Sequence, residues 1–287
     1  MKKEAMSVLA MSEVRCRPGL LMVLAVGLSF GASTKLDAES SVGDPPPSML
    51  NEEKIRFEGV PYRVCRIPKK MLYQLKLAWL GSDGKPMRSF DRVQAHYEAK
   101  GEKVTFITNA GIFEPGGIPT GMHHQQFRSL RPLNLRPGKG NFFLKPNGVL
   151  TVSKSGARIQ SSHALARLWS HGRNSQEQAV WSQKTRLAVQ SGPLLLEGGR
   201  IHPAFRRAST SALHRNGVGV NDQGLIFVIT DKEGWVNLHG FSRFFLHLGC
   251  KDALFLDGDI SQMAVRPSGK VESNLFGAML VMTQPAE

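Results

Sequence analysis

Apolar and polar residues alternate over residues 62–67, the period-two signature of a half-buried strand. Residues 72–80 read the same way and end at the turn Gly81-Ser82-Asp83-Gly84. The period then lengthens. Phe90, Val93 and Tyr97 share one face of a helix that Ser89 can cap and Gly101 can end. Residues 104–108 form a strand entering Asn109-Ala110-Gly111. Residues 142–145 and 149–152 are expected to pair as a hairpin across Pro146-Asn147-Gly148. Ser162 and Ser175 each open a short helix, and residues 186–190 run extended into Ser191-Gly192-Pro193. Beyond it, residues 194–196 stay extended until Gly198-Gly199 turns the chain toward Ile201. Residues 217–220 and 225–230 make a second hairpin over Asn221-Asp222-Gln223-Gly224. Asn237 starts a helix with Phe241, Phe244, Phe245 and Leu248 inward, closed by Gly249. Residues 254–256 and 278–282 complete the strands. The pattern predicts an α+β fold: a mixed, largely antiparallel sheet with a few flanking helices, in a single domain.

Five of these strand ends meet small polar turns. The most telling is Leu254-Phe255-Leu256-Asp257-Gly258-Asp259, an apolar run that enters two carboxylates split by one glycine. The others are Asn109-Ala110-Gly111, Gly140-Asn141-Phe142-Phe143, Gln190-Ser191-Gly192-Pro193 and Arg215-Asn216-Gly217-Val218-Gly219. Polar residues at strand ends are where sheet enzymes carry chemistry, so these turns predict one composite pocket. Asp257 suits a general base or nucleophile, with Asp259 tuning its pKa or sharing a divalent cation with it. The same pair also suits a turn whose carboxylates cap local amides. Arg215 offers a planar fork for phosphate. Asn109 and Asn141 offer amides to sugar hydroxyls or phosphate oxygens. Ser191 lacks the glycine two residues earlier that a nucleophile elbow requires, and reads as a hydrogen-bonding residue. His202 is a candidate pocket residue.

Several chemistries fit poorly. His123 and His124 project to opposite sides of a strand and do not chelate together. There is no His-x-x-x-His helix, no cysteine pair at zinc spacing, no dinucleotide fingerprint and no P-loop. No cofactor is expected beyond the cation that Asp257 and Asp259 could hold.

The first residues carry an address. Lys2, Lys3, Arg15 and Arg17 precede an apolar run over residues 20–30, too short to span a bilayer, and Gly31-Ala32-Ser33 follows. Residues 1–33 therefore read as a secretory signal, and the mature chain as exported, periplasmic or extracellular, with no stable membrane span. Residues 34–54, with Pro45-Pro46-Pro47, read as a disordered spacer. Residues 55–283 are enough for one core. The formal net charge of +14 favours anionic partners, but Lys and Arg are scattered, without the clustering that nucleic-acid binding needs. Cys65 and Cys250 would form either one disulfide or two buried thiols.

Thr108-Asn109-Ala110-Gly111-Ile112-Phe113, Pro132-Leu133-Asn134, Gly140-Asn141-Phe142-Phe143, Gln190-Ser191-Gly192-Pro193, Arg215-Asn216-Gly217-Val218-Gly219 and Leu256-Asp257-Gly258 occur together in one chain. In these residues it resembles the phosphodiester glycosidase domain family, over about residues 62–281, and most closely its small exported bacterial branch. The animal enzyme of that family removes N-acetylglucosamine from a phosphodiester. The resemblance implies Asp257 as the leading catalytic candidate, Arg215 as phosphate ligand, and Asn109, Asn141 and Ser191 as pocket lining. Two positions depart from the animal pattern: Asp259, where a second glycine is usual, and Asn216, where threonine commonly follows the arginine.

The implied reaction is chemically economical. Breaking a sugar C1–O bond in a phosphodiester releases a phosphate monoester whose last pKa is about 6, so it departs without a strong general acid. One of the two carboxylates of ordinary glycosidases is then dispensable. The expectation is an exported hydrolase acting on a phosphorylated or anionic glycan. The alternatives are a non-catalytic binder of anionic envelope glycans, a hydrolase of an amide or ordinary glycoside, and a structural partner in an envelope assembly.

Overall fold

The computed structural model describes residues 50–170 and 175–286, which lie within the compact unit Pro46–Glu287. The leader and all of the expected spacer up to residue 49 lie outside the described residues. The largest sheet has seven strands in the order β1 (Glu52–Phe57), β2 (Val60–Pro68), β15 (Gly224–Thr230), β14 (Asn216–Asn221), β16 (Asp252–Asp257), β12 (Leu194–Glu197) and β13 (Arg200–Ile201). A five-stranded sheet runs β10 (Gly156–Ser161), β9 (Gly148–Ser153), β11 (Thr185–Ser191), β7 (His123–Gln125) and β8 (Arg128–Arg131). A four-stranded sheet runs β17 (Met263–Val265), β4 (Glu102–Asn109), β18 (Met279–Pro285) and β3 (Lys76–Ala78), and β5 (Phe113–Glu114) pairs with β6 (Ile118–Pro119). The helices are α1 (Phe90–Glu98), α2 (Ser162–Ser170), α3 (Ser175–Lys184) and α4 (Leu238–His247).

The large sheet is apolar on both faces because each face has its own core. Along β15, Leu225, Phe227 and Ile229 enter the main core shared with the other sheets, while Ile226 and Val228 enter a second core under α4. In β16, Leu254 and Leu256 face the first and Ala253 and Phe255 the second. That alternation explains why both strands read as unbroken apolar runs. Asn237 Oδ1 accepts from Gly240 N at 2.8 Å at the start of α4. Phe241, Phe244 and Phe245 are fully buried, each contributing about 1.5–3 kcal/mol of hydrophobic stabilisation. Room for their rings comes from β14: a Cβ at Gly219 would lie 2.7 Å from Phe245 Cδ1 and 2.5 Å from Cys250 Sγ.

Four expectations need correction. The sheet is not mixed: every strand pairing among the described residues is antiparallel, and the fold is α+β with strands dominant. The strand–helix–strand order β15–α4–β16 does bring two strands into the same direction, but β14 lies between them and pairs with each. The expected strand over residues 72–80 is a 3-10 turn, Lys69–Gln74, followed by the short β3. The hairpin across Pro146-Asn147-Gly148 does not form. Asn141–Phe143 is a 3-10 turn, and buried Asn147 donates from Nδ2 to Phe142 O at 2.9 Å. Of the two states open to the cysteines, the second holds: Cys65 and Cys250 are free thiols in different cores, on opposite faces of the large sheet, and burial pushes both pKa values up to about 12. The folded region also begins earlier than expected, since Leu50 is buried and β1 takes in Glu52 to Lys54.

Candidate active site

Three strands end in one place. β4 finishes with Thr108 and Asn109, β14 opens with Asn216, and β16 finishes with Asp257. The register sets Asn216 opposite Asp257, just past an irregularity where β16 carries one residue more than β14. Arg215 immediately precedes Asn216, which puts its backbone one residue from the Asn216–Asp257 pair.

Amide groups tie the two sheets together there. Buried Asn216 donates from Nδ2 to Asn109 Oδ1 at 2.8 Å and to Thr108 Oγ1 at 3.1 Å. Asn109 Oδ1 also accepts from Gln262 N at 3.1 Å, and its Nδ2 donates to Ser261 Oγ at 3.2 Å. Thr108 Oγ1 donates to Gln262 O at 3.0 Å. Asn274 closes the far side, donating from Nδ2 to Ile260 O at 2.9 Å and from its backbone N to Gln262 Oε1 at 2.6 Å. The turn that follows Asp257 is thus held at several points. Behind it, Ser191 Oγ donates to Leu256 O at 3.0 Å and accepts from Ile112 N at 3.3 Å. Gly111 fits because any Cβ would sit 3.2 Å from Ser191 Cβ.

Asp257 is partly buried, and burial raises its carboxyl pKa above the ordinary value; Gly258 N, donating to Oδ1 at 2.8 Å, opposes that rise, and the Asp259 charge adds to it. Arg215 is 2% exposed. Its Nε donates to Val236 O at 3.2 Å and its Nη2 to Ser211 O at 3.0 Å, and the guanidinium lies 5.5 Å from the Phe255 ring centre. Burial lowers its pKa, and Asp259 counters that. Exposed Asp259, whose Oδ1 accepts from His214 N at 3.2 Å, is therefore within electrostatic reach of both Asp257 and Arg215.

A family model for phosphodiester glycosidases matches residues 102–282, from the start of β4 into β18, and takes in all of this cluster. The chain belongs to the phosphodiester glycosidase family. Among its relatives is the uncharacterized YigE of Escherichia coli K12, 29% identical over 195 residues, 67% of this chain and 70% of YigE. Among solved structures, the catalytic domain of zebrafish N-acetylglucosamine-1-phosphodiester alpha-N-acetylglucosaminidase, auto-inhibited by its pro-peptide, superposes with a TM-score of 0.53. The two are 14% identical, with 81% of each chain covered, a likeness of fold.

In this member of the family, the structure brings Asn109, Ser191, Arg215, Asp257 and Asp259 to the ends of β4, β11, β14 and β16, and leaves Asn141 and His202 elsewhere. Asn141 is exposed on its 3-10 turn; that turn packs on Gly192, whose Cβ would meet Phe142 O at 3.1 Å. His202 lies beyond β13 at the edge of the large sheet. Its Nδ1 accepts from Ala204 N at 3.1 Å, its ring stacks on Phe205, and burial lowers its pKa. Among the described residues no group of three or more His, Cys, Asp or Glu side chains is placed to hold a metal, so Asp257 and Asp259 lack a third such ligand. Thr108, Gln262, His214 and Asn274 were not singled out from sequence. Their contribution depends on contacts between distant segments; Thr108 and His214 had a linear clue in their position beside Asn109 and Arg215, and Gln262 and Asn274 had none.

Proposed function

We propose that this chain is an exported hydrolase that cleaves the sugar–phosphate bond of a glycosyl phosphodiester. One observation carries the reading: Asp257 pairs across the strands with Asn216, the residue after Arg215, within the region that the phosphodiester glycosidase family model matches. Asp257 acts as the base or nucleophile at the sugar carbon. Its pKa, raised by burial, makes it a better proton acceptor than an exposed carboxylate while leaving it ionised above that pKa. Arg215 binds the phosphate. With Nε and Nη2 engaged by Val236 and Ser211, Nη1 is the edge that meets the ligand, and the bonded edges hold the charge in place. Asn109 and Ser191 keep the Asp257 turn in position, and the departing phosphate monoester needs no acid partner.

Export is read from residues 1–33. Among the described residues no helix is long and apolar enough to cross a membrane. Release of phosphate monoester from a panel of glycosyl phosphodiesters tests the reaction, with the matching phosphate-free glycosides as controls. Turnover confined to the phosphodiesters is expected. Saturable binding with no product would instead identify a binder of anionic glycans.

A further inference from the structure

A cleft of about 430 Å³ opens between α1, β3 and β11, and it shares no residue with the Asp257 cluster. Its size is ordinary for a small-molecule site. Its charge balance is not. Lys76, Lys100 and Arg186 line it, against the single carboxylate of Glu102.

That carboxylate is already engaged. Lys76 pairs with Glu102 and also donates to Thr283 Oγ1 at 2.7 Å, and Thr283 Oγ1 itself bonds Glu102. Lys100 Nζ instead meets a neutral group, His96 Nε2, at 2.8 Å. Both ammonium groups lie over the Tyr97 ring, 4.8 Å and 5.6 Å from its centre. Partly buried Arg186 donates from Nη2 to Leu72 O at 2.6 Å and also to Leu75 O; neither it nor Lys100 forms a salt bridge among the described residues. A concave site lined by two cations that form no salt bridge focuses positive potential, which favours a bound anion. The amides of Gln125 and Gln126 and the Ser82 hydroxyl line the same cleft and suit the hydroxyls of a sugar.

We propose that this cleft binds an anionic monosaccharide, its acid group read by Lys100 and Arg186, at a site separate from Asp257. It stands whether or not Asp257 hydrolyses a phosphodiester. The test is titration of the isotope-labelled full chain by NMR with glucuronate, glucose 6-phosphate, inorganic phosphate and neutral glucose. At least one of the two anionic sugars is expected to move the Tyr97, Lys100 and Gln125 signals, with inorganic phosphate and glucose binding at least about tenfold more weakly. Comparing the two anionic arms distinguishes a carboxylate from a phosphate ligand. Lys100→Glu, at an exposed position, should weaken binding about tenfold or more, while Lys154→Glu, an equal charge change on the exposed β9–β10 turn, leaves it within about twofold. Asp257→Asn should bind as the unaltered chain does. Unmoved cleft signals, equal binding of inorganic phosphate and the sugars, or equal effects of the two lysine substitutions would each overturn the proposal.

Discussion

At the end of β16 a carboxylate is displaced from its ordinary pKa by burial, and at the β12–β13 edge an imidazole is displaced by the same cause. The surroundings differ. Around Asp257, side chains from β4, β11 and β14 and from the loops after β16 converge through a chain of hydrogen bonds, with Arg215 and Asp259 nearby. His202 Nδ1 bonds only within its own turn and its ring stacks on Phe205, while its buried Nε2 has no hydrogen-bond partner among the described residues. A perturbed titratable group is thus a weak sign of chemistry by itself. Convergence of distant segments on the turn that carries the group is the stronger sign, because nothing in local turn formation requires it.

The sharpest way to break this contrast is paired substitution. Asp257→Asn is expected to lower phosphodiester hydrolysis about 10²–10⁴-fold, whereas His202→Phe leaves it within about twofold. Comparable losses at both sites would erase the distinction. Stability should move the other way. Because burial raises the Asp257 pKa above its unfolded value, its contribution to stability is present in acid and lost as pH rises through the folded pKa, so Asp257→Asn should melt higher at neutral pH.

A buried polar group outside the site sets the next expectation. His123, fully buried beside Trp79, has its pKa pushed down by burial to about 4. The unfolded chain then binds the extra proton first, so stability is lost as pH falls from about 6.5 toward 4, by up to roughly 3 kcal/mol. Denaturant unfolding of the unaltered chain against His123→Gln across that range measures it, and the substitution should flatten the acid loss without changing the substrate profile.

Asn109→Ala should cost about 1–3 kcal/mol of stability, because Asn216 Nδ2 and Gln262 N lose an acceptor. Turnover should fall about 10–100-fold as the Asp257 turn loosens. Full activity in this variant would show that the amide bridge holds the sheets but not the chemistry. The smallest effect belongs to Asp259→Asn. Removing the charge that raises the Asp257 pKa should shift the acid limb of the kcat/KM profile to lower pH.

Much of the fold was legible in the chain. β14, β15, β16 and α4 follow directly from periodicity and from Asn237 and Gly249 as helix boundaries. What failed was pairing. Residues 142–152 look like a hairpin in isolation, but Asn147 turns inward and its amide claims the Phe142 carbonyl, a contact no local pattern encodes. The candidate site shows the same split. Asp257, Arg215, Asn109, Ser191 and Asp259 were visible as polar residues at strand ends. Asn216 was visible only as the residue after an arginine, and Thr108 and Gln262 gain meaning only when β4 meets the turn after β16. Asn141 and His202 have the same local signature, yet neither joins that meeting point.

Phe255 has a second consequence. Its ring belongs to the aromatic layer under α4 and also forms the seat on which the Arg215 guanidinium rests. Placement of the Arg215 guanidinium and cohesion of the interior therefore share one hydrocarbon floor. Any lineage that retunes the first by reshaping that floor must simultaneously renegotiate the second.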